Sequence, residues 1–210
     1  MSLNIEQTRS LVMHALEDIA ARRDELNELD RALGDGDHGT TIARGAKAAT
    51  DALRGADLGS VNDVFTLAGR AMMKSMGGAS GVLFGVFFQG AKACAASQVL
   101  DAQTLFGFLK SGLEALKQKT KAQPGDKTML DAVVPAIAAL EQATQASAAL
   151  DSALAQTAAA AEHGAQSTAG LLPRFGRART LGERAAAGRD PGATSVSVFL
   201  RGLANHLPKG

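Results

Sequence analysis

The segment Leu29-Asp30-Arg31-Ala32-Leu33-Gly34-Asp35-Gly36-Asp37-His38-Gly39 places three carboxylates at the spacing D-x4-D-x-D, with glycines around the last two. Carboxylates crowded this closely repel one another unless a cation compensates them. Oxygen ligands without cysteine or a histidine cluster select Mg²⁺ or Ca²⁺ over zinc. Mg²⁺ in turn keeps water and substrate phosphates as its remaining ligands, so Asp30, Asp35 and Asp37 point towards a nucleotide. The same letters also fit an Asp-Gly turn between two helices in which Asp37 caps the second.

Familiar loop motifs do not fit these residues. Gly34, Gly36 and Gly39 match G-x-G-x-x-G, but no strand precedes them and two Asp stand where a pyrophosphate would lie. An EF-hand loop starting at Asp35 would put Thr40 at the sixth position, where Gly is required, and Ala46 at the twelfth, where Glu is required. The chain has no G-x4-G-K-[ST] loop and no H-E-x-x-H or E-x-x-H pair.

Three further stretches carry groups suited to phosphate. Gly77-Gly78-Ala79-Ser80-Gly81 leads into an apolar helix, whose first N–H groups make an anion site, with the Ser80 hydroxyl as an added donor. Arg174, Arg177, Arg179, Arg184 and Arg189 crowd one irregular stretch and suit phosphates, transition-state charge or an acidic partner equally well. Asp190-Pro191-Gly192-Ala193-Thr194-Ser195 closes that stretch as a turn and caps a final helix. Thr128 and Met129 start another helix after a turn, where an apolar face can pack on a base. His14, His163 and His206 lie apart in helical contexts, whereas His38 sits inside the acidic loop.

These pieces must be positioned by helices. Ile5, Val12, Leu16, Ile19, Leu26, Leu29 and Leu33 form one helical stripe, which predicts a long first helix ending at Gly34. Further helices are predicted over about 41–53, from a Ser60/Asp63 capping box through Met73, over 82–97, from Asp101 and Thr104 to about Lys119, and over about 128–143, 148–168 and 193–206. The helix over 82–97 is apolar nearly all round, which predicts a place in the middle of the bundle. Lys119–Lys127 and Gly170–Gly192 are left as loops, the second long enough to be functional.

Composition agrees. Ala supplies 42 of the 210 residues while Trp and Tyr are absent, which favours closely packed helices and excludes an all-β fold. The expectation is an all-α barrel or bundle of about eight antiparallel helices, a single domain over 1–210, with the site formed by loops at one end. Net charge is +1, from 22 Lys+Arg against 21 Asp+Glu, which removes the electrostatic case for nucleic acid or a membrane surface. The lone Cys94, the lack of a signal-like N-terminus and the lack of an 18-residue apolar run lead us to expect a cytoplasmic protein.

Taken in order, Leu33-Gly34-Asp35-Gly36-Asp37-His38-Gly39, Gly77-Gly78-Ala79-Ser80-Gly81 with Leu83-Phe84-Gly85, Pro124-Gly125-Asp126-Lys127-Thr128-Met129, Gly176-Arg177-Ala178 with Leu181-Gly182-Glu183-Arg184, and Asp190-Pro191-Gly192-Ala193-Thr194-Ser195 resemble the nucleotide-binding L subunit of the dihydroxyacetone kinase family. The motifs run from about residue 30 to 195. The resemblance implies a barrel of eight antiparallel helices that binds ADP, or ATP once phosphorylated, and two Mg²⁺ at its mouth. It assigns the metals to Asp30, Asp35 and Asp37, the phosphates and ribose to His38, Gly39, Thr40, Thr41, Ala79 and Ser80, and the border of the base to Thr128 and Met129. Arg177 and Asp190, Pro191 and Gly192 come from the covering loop, Thr120 adds a contact from the basic loop, and Arg177 and His38 are the catalytic candidates.

The chain's length resembles the phosphotransferase-system type, which implies a dihydroxyacetone-binding K subunit and a phosphotransferase-system M subunit as partners. Two alternatives stay open: a nucleotide subunit of an ATP-dependent kinase for another short ketose or other acceptor, and a nucleotide-sensing module that acts on a transcription regulator.

Overall fold

The computed structural model describes residues 1–208, without the side chains of Arg177, Leu181 and Arg184. Among the described residues nine α-helices follow one another: α1 (Ile5–Ala21), α2 (Arg23–Arg31), α3 (His38–Leu53), α4 (Val61–Met76), α5 (Gly78–Phe88), α6 (Ala102–Lys117), α7 (Leu130–Gln145), α8 (Leu150–Ser167) and α9 (Pro191–Asn205). Short 3₁₀ stretches cover Gln89–Ala93 and Arg177–Ala185, and an isolated bridge pairs Leu3 with Leu100. The expected all-α architecture is what the chain forms. Among the described residues no helix is long and apolar enough to cross a membrane.

The helix starts are written in short polar side chains. Asn4 and Gln7 form a reciprocal capping box at α1. Asp101 accepts the Thr104 amide at 2.7 Å, and Asp190 accepts the Ala193 amide at 2.7 Å with Pro191 in the first turn of α9. Ser60 accepts the Asp63 amide at 3.3 Å, but Asp63 turns back to the Gly59 amide as well as to the Ser60 hydroxyl.

Three expectations change. The first helix is two, because the chain breaks at Arg22 (φ −90°, ψ 14°) while the apolar stripe continues through Leu26 on the far side. The Gly77–Gly81 interruption shrinks to Gly77 (φ 68°), since Gly78, Ala79 and Ser80 already form the first turn of α5. That helix is a wall and not the axis of the bundle: it packs between α4 and α6, and Val82 is exposed.

Packing closes a ring. Each of α1, α3, α4, α5, α6, α7, α8 and α9 lies against the next, and α9 returns to α1, while α2 is the additional helix laid on α3 and α9. The ring is filled by a continuous core that includes an edge-to-face pair, Phe65 and Phe108, with centroids 5.4 Å apart, and Phe88 against Phe199 at 4.7 Å. The starts of α3, α5, α7 and α9 share one end: His38 touches Ser195 and lies 6.4 Å from the Phe84 ring, and Met129 abuts Gly192. Helices therefore alternate in direction, and four N-termini face one mouth.

Glycine sets how closely the staves approach. A methyl group at Gly112 of α6 would overlap the Phe87 carbonyl oxygen, whereas one at Gly107 of the same helix would meet only the Cys94 Sγ at 3.6 Å. Gly112→Ala should destabilise the protein by about 1–3 kcal/mol through overpacking, and Gly107→Ala should stabilise it by about 0.5–1 kcal/mol through helix propensity. Urea unfolding of the two variants checks this; equal effects would mean that close approach does not set the spacing of α5 and α6.

Candidate functional site

The acidic loop spans the gap between α2 and α3. Asp30, in the last turn of α2, accepts the backbone amides of Asp37 at 3.0 Å and His38 at 3.2 Å through one carboxylate oxygen. The start of α3 is thus capped from the preceding helix: Asp37 occupies the N-cap position, but its side chain makes no capping bond. Gly36 supplies a left-handed turn (φ 75°). The outcome is that ligand oxygens of Asp30, Asp35 and Asp37 lie within 4.8 Å of one another, with Asp30 half-buried and the other two exposed. All three donors are hard carboxylates, as a divalent cation of the Mg²⁺ or Ca²⁺ kind requires.

The first turn of α3 is clamped to α2. A Cβ at Gly39 would overlap the Arg23 carbonyl, so the two helices touch backbone to backbone there. Asn27 bonds the Thr40 amide at 2.9 Å and the Thr40 hydroxyl at 3.0 Å. Thr40 therefore faces α2 and a cleft of about 490 Å³ lined also by Arg23, Arg44 and Lys47. Thr41 is half-buried in the same turn, with its amide on the Asp37 carbonyl.

His38 points inward. It is buried, and its Nε2 lies 3.0 Å from the Ser195 hydroxyl, which joins the start of α3 to that of α9. Burial lowers the imidazole pKa, against the pull of the Asp30 carboxylate, so the ring is neutral at pH 7.

The α7 and α9 starts complete the mouth. Asp131, buried, accepts the Gly125 amide at 2.5 Å and the Thr128 amide at 2.7 Å, fixing the Pro124–Met129 turn. Met129 is buried beside Gly192, and Asp190 links α8 to α9 by donating its amide to the Thr168 hydroxyl at 2.8 Å. Burial pushes the Asp190 carboxyl up to about 7; the Asp131 and Asp30 carboxylates push the same way, against the Ala193 amide and the Lys127 ammonium. Ala79 and Ser80 sit in the first turn of α5, where four amides lack partners within the helix. Thr120 is engaged in its own turn, its hydroxyl accepting the Ala122 amide at 3.1 Å. The role expected of the Arg177 side chain lies outside the described residues.

Two side chains at the mouth escaped the reading of the sequence. Asp131 had a signal, the Thr128-x-x-Asp131 spacing of a capping box. Lys127 had none, because its left-handed backbone (φ 59°) and its distant partners are tertiary facts.

A closed all-α ring with three carboxylates and four helix N-termini at one mouth is the class of helical protein whose end loops suit a metal and an anionic ligand. Residues 32–205 match the DAK2 domain family, and the chain belongs to that family. It is 36% identical over 205 residues to the phosphoenolpyruvate-dependent dihydroxyacetone kinase, ADP-binding subunit DhaL, of Escherichia coli, covering 97% of this chain and 98% of that one. It is likewise 36% identical over 201 residues to the ADP-binding subunit DhaL of the phosphotransferase-system-dependent dihydroxyacetone kinase of Lactococcus lactis, covering 96% and 97%. The crystal structure of the C. freundii dihydroxyacetone kinase in complex with AMP-PNP and Mg²⁺ superposes with a TM-score of 0.74 at 26% identity over 98% of this chain. The chain spans about a third of that kinase, 34% of its length.

Two measurements test the site. Asp30→Ala removes the acceptor of two α3 amides and should cost about 1–2 kcal/mol in magnesium-free buffer, whereas Asp37→Asn should stay within about 0.5 kcal/mol of the parent. Calorimetry should show magnesium affinity lowered by at least about tenfold in both.

For Asp190 the sign follows from a folded pKa raised above the ordinary carboxylate value: the folded state holds a proton that the unfolded chain has released, and that advantage fades as pH rises towards about 7. The stability gain of Asp190→Asn over the parent, without magnesium, should therefore grow from pH 4 to pH 7 and then level off. A gain independent of pH would refute the shifted carboxyl.

Proposed function

We propose that this chain is the ADP-binding subunit of a phosphoenolpyruvate-dependent dihydroxyacetone kinase. It holds ADP and magnesium at the mouth of the barrel, receives a phosphoryl group from a phosphotransferase-system M subunit, and passes it to dihydroxyacetone on a K subunit. The observation that carries this reading is the carboxylate triad set against the α3 N-terminus in a chain that aligns along its length with such subunits.

Asp30, Asp35 and Asp37 would hold the two magnesium ions that the family resemblance implies. Magnesium there would supply positive charge that offsets the charge of the phosphates. The first-turn amides of Gly39 in α3 and of Ala79 and Ser80 in α5 donate to phosphate oxygens, helped by the positive ends of both helices, while the amides of His38 and Thr41 stay on Asp30 and Asp37 and Thr41 offers its hydroxyl. Neutral His38, braced by Ser195, donates or accepts a hydrogen bond without adding charge. Met129 and Gly192 offer apolar surface to the base, with Thr120, Thr128, Asp190 and Pro191 around it, and the Arg177 guanidinium offsets charge that develops on the transferred group. No covalent protein intermediate is needed, because phosphoryl transfer calls for positioning and charge compensation.

Partners must approach the same end of the barrel, since the nucleotide sits there. The K subunit, the M subunit and a transcription regulator that reads the nucleotide state would therefore compete for one face. A cytoplasmic setting agrees with Cys94 standing as a free thiol.

Reconstitution decides the matter. With K and M subunits, phosphoenolpyruvate and a catalytic trace of ADP, the chain should support sustained dihydroxyacetone phosphorylation, and Asp35→Asn should lower kcat by at least about a hundredfold. Turnover that requires stoichiometric ATP and ignores the M subunit would assign the chain to the ATP-dependent arrangement instead.

A further inference from the structure

Lys127 is almost fully buried, at 3% exposure, and it adopts a left-handed backbone conformation that a lysine rarely takes. Its ammonium donates to three main-chain carbonyls: Thr168 at 2.9 Å, Ala186 at 3.1 Å and Gly188. An ammonium has three N–H groups and each has an acceptor, so the side chain has no donor left for a ligand. Burial lowers its pKa against the opposing charges of Asp190 and Asp131.

The three carbonyls flank one loop, Thr168 before it and Ala186 and Gly188 after it. Gly170 donates its amide to the Ala186 carbonyl at 2.8 Å, so residues 171–185 leave and return through a closed neck, as in an Ω-loop. Lys127 shares that same Ala186 oxygen and ties it to the C-terminal end of α8 at Thr168, where a cation is favoured by the helix dipole. Beyond the neck, Gly188 comes close to Ala32, Arg189 pairs with Glu25 at 3.4 Å, and Asp190 begins the cap of α9. On the other side of Lys127 in sequence, Asp126 accepts the Arg174 amide at 3.2 Å and pairs with its guanidinium at 3.4 Å. The Asp126-Lys127 dipeptide thus grips the loop at its neck and on its outgoing limb.

We propose that Lys127 is a positioning residue: it anchors the neck of the 171–185 loop, which carries Arg177, so that the loop lies in a fixed place beside the nucleotide mouth. The inference rests on the nucleotide reading above for its effect on turnover, but the anchoring itself does not. The left-handed backbone aims the ammonium into the neck, so that the loop keeps its register.

The test uses the full chain. Lys127→Met keeps the length of the side chain and the backbone preference but supplies no donor. Hydrogen exchange should show the amides of Gly170 and Asp190 opening at least about tenfold faster in the variant, with the Thr41 amide in α3 unchanged. In the reconstituted assay kcat should fall by roughly ten- to hundredfold, the cost of misplacing a group by about an ångström, with KM for dihydroxyacetone unchanged. Unaltered neck exchange and unaltered kcat would overturn the proposal.

Should the variant fail to fold, the parent protein decides: without nucleotide, the Gly170 amide must already be protected relative to residues 175–181, and adding Mg-ADP must slow exchange in 171–185 rather than at the neck. A neck that closes only when nucleotide is added would refute the anchor. If the parent protein binds no ADP, the nucleotide reading falls, while the exchange of the Gly170 amide still decides whether Lys127 holds the neck.

Discussion

The Asp30 carboxylate is pulled two ways, and the mouth of the barrel is built around that conflict. One of its oxygens accepts two amides at the start of α3, while Asp35 and Asp37 bring further negative charge within 4.8 Å. Backbone amides at a helix start favour a carboxylate; two more carboxylates disfavour it. A cation held by the three carboxylates would relieve the repulsion without disturbing the amide bonds. Burial raises the Asp190 pKa, and the Asp131 and Asp30 carboxylates add to the rise.

Such an arrangement needs helices that do not shift, and the composition supplies them. Alanine and glycine let staves approach until backbone meets backbone, at Gly112 against Phe87 and at Gly39 against Arg23. Close contact of this kind tolerates little adjustment, because interiors pack near crystal density. Closing the ring fixes which helix ends share a mouth, and the alternation of directions then brings four N-termini together. Chemistry confined to end loops follows from a wall that spends its residues on packing.

The sequence reveals those parts that rest on local physics. Caps at Asp101 and Asp190, the apolar stripes and the carboxylate spacing are local, and each is found where it was expected. The break at Arg22 was not legible, because no proline or glycine marks it and the stripe runs on through Leu26. Asp37 reads as a cap in sequence, yet the capping oxygen belongs to Asp30 seven residues earlier, a partnership that depends on how α2 and α3 meet. Thr40 turns to Asn27 for the same reason. Lys127 was the least legible of all, since its three partners lie 41 to 61 residues away.

Asp190 shows how one residue serves fold and mouth without conflict. As the cap of α9 it need only offer an acceptor oxygen to the Ala193 amide, and a carboxyl retains such an oxygen whether or not it carries a proton. Its amide and carbonyl are bonded to Thr168 and Thr194, so its backbone is held independently of its charge. The cap can therefore stand among Asp30, Asp131 and Lys127 while its charge follows theirs, and the start of α9 stays in place whatever the charge at the mouth. Ser195, one turn on, inherits that fixed position and passes it to His38, so a neutral imidazole in the acidic loop is aligned by a helix whose own cap does not depend on ionisation.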